Sequence, residues 1–259
     1  MSSLNIQHLF NLTGKVALIT GGSRGIGFMM AQGLLEAGAR VYITARKADA
    51  CQQAAQELSQ FGECIAIASD ISLETGREQL IACLQQKESS LDILINNAGA
   101  SWGASFEDYP TSAFDKLMNL NVTSMFALTR DLIPMLQKRA QLDSPSRVIN
   151  VGSIDALHVS TAHGTSTIAY SASKAAVQQL TKVLAVDLGP KHITVNAVAP
   201  GLFPSQMTAH GIKEHCEVFE KNSLLGRIGQ PQEMAGIAVY LSSRAGAYTH
   251  GTIVNPLHV

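Results

Sequence analysis

The sequence predicts a doubly wound α/β fold built on a parallel sheet of about seven strands. Three observations carry this. Short runs of apolar, β-branched residues alternate with helical-period segments along the whole chain. Those runs are apolar on both faces, as strands covered by helices on both sides must be. A glycine-rich octamer, "TGGSRGIG" (20–27), follows the first run and opens the first long helix.

Taken in order, "KVALIT" (15–20), "RVYIT" (40–44), "CIAIAS" (64–69) and "LDILINN" (91–97) read as strands. "SRVINVGS" (146–153) and "HITVNAVAP" (192–200) continue the series, and "GTIVNP" (251–256) closes it. Amphipathic segments at 25–37, 48–61, 74–88, 112–139, 170–188 and 231–243 read as the intervening helices. No linker, charge block or solenoid-length repeat divides the chain, so 1–259 is expected to form one Rossmann domain.

Composition narrows the function classes. The chain has 259 residues, 46% of them hydrophobic and 15% charged, with a formal net charge of −1. That is ample for a large core, and the lack of a basic run argues against nucleic acid as a partner. The first fifteen residues lack a secretory signal profile, and no apolar stretch approaches the roughly 18 residues that span a bilayer. A cytoplasmic chain without a membrane partner is the expectation. Cys51, Cys64, Cys83 and Cys216 form no C-x-x-C pair, so buried free thiols are expected and no metal site.

The glycine octamer sits where a dinucleotide turn belongs, between a strand and a helix at the start of a βαβ unit. Gly21, Gly25 and Gly27 would let backbone approach a pyrophosphate at the helix N-terminus, with Ser23 and Ile26 in the same turn. A simple turn would use similar letters; the strand–turn–helix context favours the cofactor. At the end of the second strand Ala45 stands where an NAD-binding acid would fall, followed by Arg46 and Lys47, with Arg24 inside the glycine turn. Cations without a carboxylate suit a 2′-phosphate, which points to NADP(H) rather than NAD(H).

One further stretch, "YSASK" (170–174), places Tyr170 and Lys174 one helical turn apart on a shared face. By itself that pair is as well explained by ordinary helix packing.

Together these pieces resemble the classical short-chain dehydrogenase/reductase family, from about residue 12 to 250. The likeness rests on "TGGSRGIG", "NNAG" (96–99), Asn121 in "NLNVTS", Ser153 in "NVGSI", "YSASK" and Pro200-Gly201, in that order. It implies that Tyr170 is the general acid in carbonyl reduction and the base in reverse. Lowering its pKa from near 10 to about 7 requires roughly 4 kcal/mol, shared between Lys174 and an oxidised nicotinamide. The resemblance also implies that Ser153 donates to the substrate oxygen, and that Asn121 helps hold a water relaying protons to Lys174. Asn97, Ala98 and Gly99 would approach the cofactor, and Asp70 with Ile71 would lie near the adenine. Pro200 and Gly201 would face the nicotinamide carboxamide, with Phe203 beside it and Ser205 near the phosphates. Turn, cap and helix-interior roles remain open for Ser153, Asn121, Asp70 and Pro200-Gly201.

The chain departs from the family pattern in two places. Ser153 and Tyr170 stand seventeen positions apart, so "IDALHVSTAHGTSTIA" (154–169) enlarges or reshapes the substrate wall. His158 and His163 fall there and read as loop residues. The ending "GTIVNPLHV" replaces the usual strand and Asp-Gly-Gly, which leaves dimer and tetramer both open for the homo-oligomer the family implies. A lid at about 202–226, with Phe203, Met207, Ile212, Val218 and Phe219, is apolar enough for an acyl chain, although lid packing would explain the same residues. "PGLFPSQMT" (200–208) is similar to 3-oxoacyl-carrier-protein reductases of the rhamnolipid-synthesis type. The expected activity is NADPH-dependent reduction of a 3-oxoacyl thioester carried by carrier protein or CoA. Alternatives are a sugar, steroid or small xenobiotic carbonyl, or a non-catalytic dinucleotide sensor.

Overall fold

The structure, a computed structural model, describes residues 5–158, 166–205 and 223–255. Seven strands form one parallel sheet: β1 Val16–Thr20, β2 Arg40–Ala45, β3 Cys64–Ala68, β4 Ile93–Asn96, β5 Ser146–Val151, β6 Ile193–Val198 and β7 Ile253–Val254. Their order across the sheet is β3-β2-β1-β4-β5-β6-β7. After β3 the chain returns to lay β4 against the free side of β1. The connections leaving β1 and β4 therefore diverge and open a crevice at the carboxyl ends of those strands.

Among the described residues eight α-helices surround the sheet: α1 Ile6–Phe10, α2 Gly25–Glu36, α3 Ala48–Leu58, α4 Glu74–Lys87, α5 Thr111–Met118, α6 Ser124–Gln137, α7 Ile168–Leu188 and α8 Pro231–Ser242. Strand pleating sends alternate residues to opposite layers. Ala17, Ile19, Ile93 and Ile95 pack with α2, α3 and α8 through Met30, Leu34, Ala54, Met234 and Leu241. Leu18, Leu94 and Val148 pack with α4, α6 and α7 through Leu80, Leu84, Leu128, Leu132 and Leu188. Each such fully buried aliphatic side chain contributes about 1.5–3 kcal/mol relative to exposure.

Three features differ from the sequence reading. The segment read as one helix over 112–139 is α5, a π-turn at Asn119–Thr123, and α6. The π-turn is marked by Ser124 N–H donating to the Asn119 carbonyl five residues back, and Ser124 Oγ donates to the same oxygen at 2.7 Å. Helix α1 was not expected; Asn5 Oδ1 caps it by accepting from Gln7 N–H at 3.0 Å. The thiols are not uniformly buried: Cys51 is, Cys64 is half-buried, and Cys83 is exposed on the outer face of α4 between the inward Leu80 and Leu84. His163, Cys216, Met207, Ile212, Val218 and Phe219 lie outside the described residues, as does most of the expected lid. No described helix is long and apolar enough to cross a membrane.

Candidate active site

The crevice is a continuous cavity of about 1180 Å³ along the carboxyl ends of the strands. One end is lined by Gly21, Ser23, Arg24, Gly25, Ile26, Ala45, Arg46, Lys47, Asp70 and Ile71. The other is lined by Ser153, Tyr170, Lys174, Pro200, Gly201 and Phe203, with Asn97, Ala98 and Gly99 between and Ser205 beside Gly25 of the first end.

The glycine turn owes its shape to residues whose backbone no larger side chain would tolerate. Gly21 and Gly25 have φ of +65° and +56°. A Cβ on Gly25 would stand 3.1 Å from Ser205 Cβ, filling the gap into which the turn opens. Helix α2 begins after an extended Arg24 that supplies no side-chain cap, so its first N–H groups remain available to an anion. Arg46 and Lys47 are exposed at the rim of this end. The site thus fits a dinucleotide with a 2′-phosphate: an anion-seeking helix terminus, a cradle that a Cβ would close, and two cations at the far rim.

Gly27 has another function. A Cβ there would meet Asn97 Nδ2 at 2.4 Å and the Gly21 carbonyl at 2.5 Å. Asn97 Nδ2 donates to the Thr20 and Gly21 carbonyls, each at 3.0 Å, and pins the glycine turn to the end of β4. The Asn97 side chain therefore shapes the turn from its place on the cavity wall. Asp70 Oδ1 accepts from Ser72 N–H at 3.0 Å and Ser72 Oγ at 2.6 Å, which also gives it the turn role left open for it. Phe203 lines the cavity, yet its ring is 2% exposed and fills the space above Gly229, where a Cβ would come within 2.4 Å.

At the other end, α7 sets the chemistry. Tyr170, Lys174 and Gln178 recur at one-turn intervals on the same face, which runs under the end of β5. Lys174 Nζ lies 5.6 Å from the Tyr170 ring centroid and donates to the Val151 carbonyl at 2.7 Å. Burial lowers the Lys174 pKa to about 8. The Tyr170 pKa is raised, first by burial, with the Asp155 charge acting in the same direction and the Ser153 hydroxyl opposing. The protein alone therefore holds the phenol in its protonated form.

Ser153 lies two residues beyond β5 and caps the following 3₁₀ turn, Ile154–Ala156: its Oγ accepts from Asp155 N–H at 3.2 Å. That fills one lone pair, while the hydroxyl also bonds the Tyr170 phenol and opposes the rise in its pKa. Gln178 Nε2 donates to the Ser153 carbonyl at 2.9 Å. Asn121, buried in the π-turn, spends both amide hydrogens on the Ala100 carbonyl (3.0 Å) and Ser173 Oγ (2.9 Å), while its Oδ1 accepts from Ala100 N–H. Ser173 Oγ in turn donates to the Tyr170 carbonyl at 2.7 Å. Asn121 thus acts as a brace between the segment after Gly99 and the Tyr170 turn. His158 is exposed beyond the 3₁₀ turn and does not line the cavity.

The family model for short chain dehydrogenase matches residues 15–215. The chain belongs to this family. A Pseudomonas aeruginosa protein, the rhamnolipids biosynthesis 3-oxoacyl-[acyl-carrier-protein] reductase, is 49% identical over 248 residues covering 95% of each chain. A Vibrio cholerae 3-oxoacyl-[acyl-carrier-protein] reductase is 33% identical, covering 96% of this chain and 97% of its own. Among solved short-chain dehydrogenases, the Pseudomonas aeruginosa RhlG/NADP active-site complex superposes with a TM-score of 0.92 at 47% identity, covering 96% and 97% of the two chains.

Sequence reading missed Gln178, Ser173 and a buried relay behind the site. Asn96 Nδ2 donates to Thr129 Oγ1 and Asn150 Oδ1, and Asn150 Nδ2 to Thr181 Oγ1, each at 2.9 Å. Gln178 was open to discovery, since it continues the Tyr170, Lys174 spacing by one more turn.

Proposed function

We propose that this short-chain dehydrogenase uses NADPH to reduce a ketone to a secondary alcohol, and that the ketone is a 3-oxoacyl thioester. The observation that carries the reading is the convergence of Ser153, Tyr170 and Lys174 at one end of a cavity whose other end offers a glycine cradle, Arg46 and Lys47. Arg24, Arg46 and Lys47 would hold the 2′-phosphate end, and the α2 N-terminus the pyrophosphate. Bound in this cavity, NADPH supplies the hydride.

The protein's own groups manage the oxygen and the proton. Ser153 turns its hydroxyl proton to the substrate oxygen and fixes the carbonyl. Tyr170, held protonated, gives its proton to that oxygen as negative charge develops there. The Lys174 ammonium, immobilised by Val151, favours the phenolate that remains, and a cationic nicotinamide after the transfer reinforces it.

The thioester reading draws on the two reductase relatives and on the cavity wall, where Leu202, Ile154 and Phe203 are apolar. We also read the chain as a homo-oligomer formed through α6 and α7, whose outer faces expose Phe126, Val183 and Val186.

The test is NADPH oxidation with acetoacetyl thioesters, run beside steroid and sugar ketones, for the wild type and Tyr170→Phe. Loss of roughly 10³-fold or more in kcat for the variant, with NADPH binding retained, is expected. Near-full activity in that variant would overturn the mechanism, and preference for a sugar or steroid ketone the substrate.

A further inference from the structure

Three charged side chains line the catalytic end of the cavity among the described residues: Lys174, Arg227 and Asp155. Two are already balanced. Lys174 is turned toward the Val151 carbonyl, and its Nζ lies on the Gly99 side, 3.6 Å from where a Cβ of that glycine would be. Arg227 forks onto both carboxylate oxygens of Glu233. Asp155 follows Ser153 by two residues on the 3₁₀ turn, and its backbone N–H holds Ser153 Oγ. Its carboxylate is half-buried and has no hydrogen bond or ion-pair partner among the described residues. Burial alone pushes its pKa up, with no cation to offset it, and its charge is felt at Tyr170.

A lone carboxylate beside the carbonyl-binding pair is costly to keep unless it contributes to selection. We propose that Asp155 is a specificity-determining residue that excludes ketones bearing a nearby carboxylate, so that the site takes a 3-oxo acid only after its carboxyl has been masked as a neutral thioester or ester. This inference rests on the reading of the chain as a ketone reductase. In a free 3-oxo acid the carboxylate is two bonds from the reacting carbonyl carbon. Docking that carbon at Ser153 and Tyr170 brings the two negative charges within several ångströms in a cavity that screens poorly. At an effective dielectric near 20, a pair about 6 Å apart repels enough to lower kcat/KM on the order of 100-fold. Thioester formation removes that charge while leaving the ketone intact. The reaction class that must supply the substrate is therefore acyl condensation on a thiol carrier, not release of a free keto acid.

The experiment compares full-length wild type with Asp155→Asn, an isosteric neutral replacement, and with Asp155→Ser. Each is assayed at pH 8 with NADPH on three substrates: acetoacetyl-N-acetylcysteamine, ethyl acetoacetate and free acetoacetate. The quantity read is the ratio of kcat/KM for acetoacetate to that for ethyl acetoacetate, which normalises any general change in rate. The wild-type ratio is expected to be very low and to rise at least 10-fold in both variants, while Asp155→Glu keeps it low. A ratio unchanged within 2-fold in both variants overturns the role of Asp155. If wild type reduces neither neutral substrate, the ketone-reductase reading itself fails, an outcome distinct from the first. NADPH fluorescence enhancement on binding verifies that each variant is folded; if one is not, the ratio in the other decides.

Discussion

Gln178 Nε2 donates a 2.9 Å hydrogen bond to the Ser153 carbonyl, tying the end of β5 to α7 two turns beyond Tyr170. Both residues are buried, at 5% and 6% exposure, so water cannot replace the bond. The proton donor and the carbonyl-orienting serine therefore share one rigid support. Gln178→Leu leaves that carbonyl without its donor and frees Ser153 to shift. Its kcat on a ketone is expected to fall about 10-fold or more with the KM for NADPH little changed, because misplacement by about 1 Å is that costly. A purely structural role would instead lower stability alone and spare kcat.

The buried ammonium of Lys174 makes stability depend on pH in a definite direction. Its pKa is about 8 in the folded chain against 10.5 ordinarily. Between those values the unfolded chain binds more protons, so wild-type stability from this group rises with pH across that window and is lowest below about 8. In Lys174→Met this dependence vanishes. The stability of the variant relative to wild type is thus expected to decline by about 3 kcal/mol from pH 7 to pH 10.5. Urea unfolding of both proteins at the two pH values measures it; a pH-independent difference would contradict the burial of the charge.

Cofactor choice is expected to turn on the end of β2. Ala45→Asp places a carboxylate where the 2′-phosphate would sit, adding repulsion there and an acceptor for a ribose hydroxyl. The ratio of kcat/KM for NADPH over NADH should drop by roughly 10–100-fold. An unchanged ratio would mean that Arg46 and Lys47 are ordinary surface charges.

His250 joins three elements away from the cavity. Its Nδ1 accepts from Val195 N–H at 3.1 Å, and Nε2 lies 2.9 Å from the Ala185 carbonyl, so Nε2 carries the proton. His250→Ala leaves the Val195 N–H of β6 without its partner, while the Ala185 carbonyl keeps the Gly189 N–H. A stability loss of about 1–3 kcal/mol follows, a Tm lower by roughly 2–8 °C, with kcat retained at 25 °C. Equal Tm values for variant and wild type would show that water takes over the Val195 bond.

The sequence was most legible where one local signal suffices. Ile19, Leu18 and their neighbours mark β1 because a strand buried on both faces favours an unbroken apolar run, and every strand was located within a few residues. It was least legible where a contact joins distant positions. Nothing local distinguishes Asn97 as the clamp on the Gly21 turn, because its partners lie about 76 residues away. Nothing local marks Arg147 as buried, yet it is 3% exposed and held by the Pro145 and Ser243 carbonyls, with its pKa lowered to about 10 by burial. The π-turn was hidden because α5 and α6 keep one apolar period on either side of Asn121.

What the sequence by itself determined was the parallel α/β layering, the glycine turn with its cationic neighbours, and the Tyr170, Lys174 spacing. These follow from periodicity, backbone sterics and helix geometry over a few residues. Only the tertiary structure decided how those parts act together. The return of β4 beside β1 opens the cavity, Val151 turns the Lys174 ammonium inward, and burial keeps the Tyr170 phenol protonated. Asp155 stands there without an ion-pair partner among the described residues. Burial and the neighbours of a charge are properties of the packed chain, and they set its pKa and its reach.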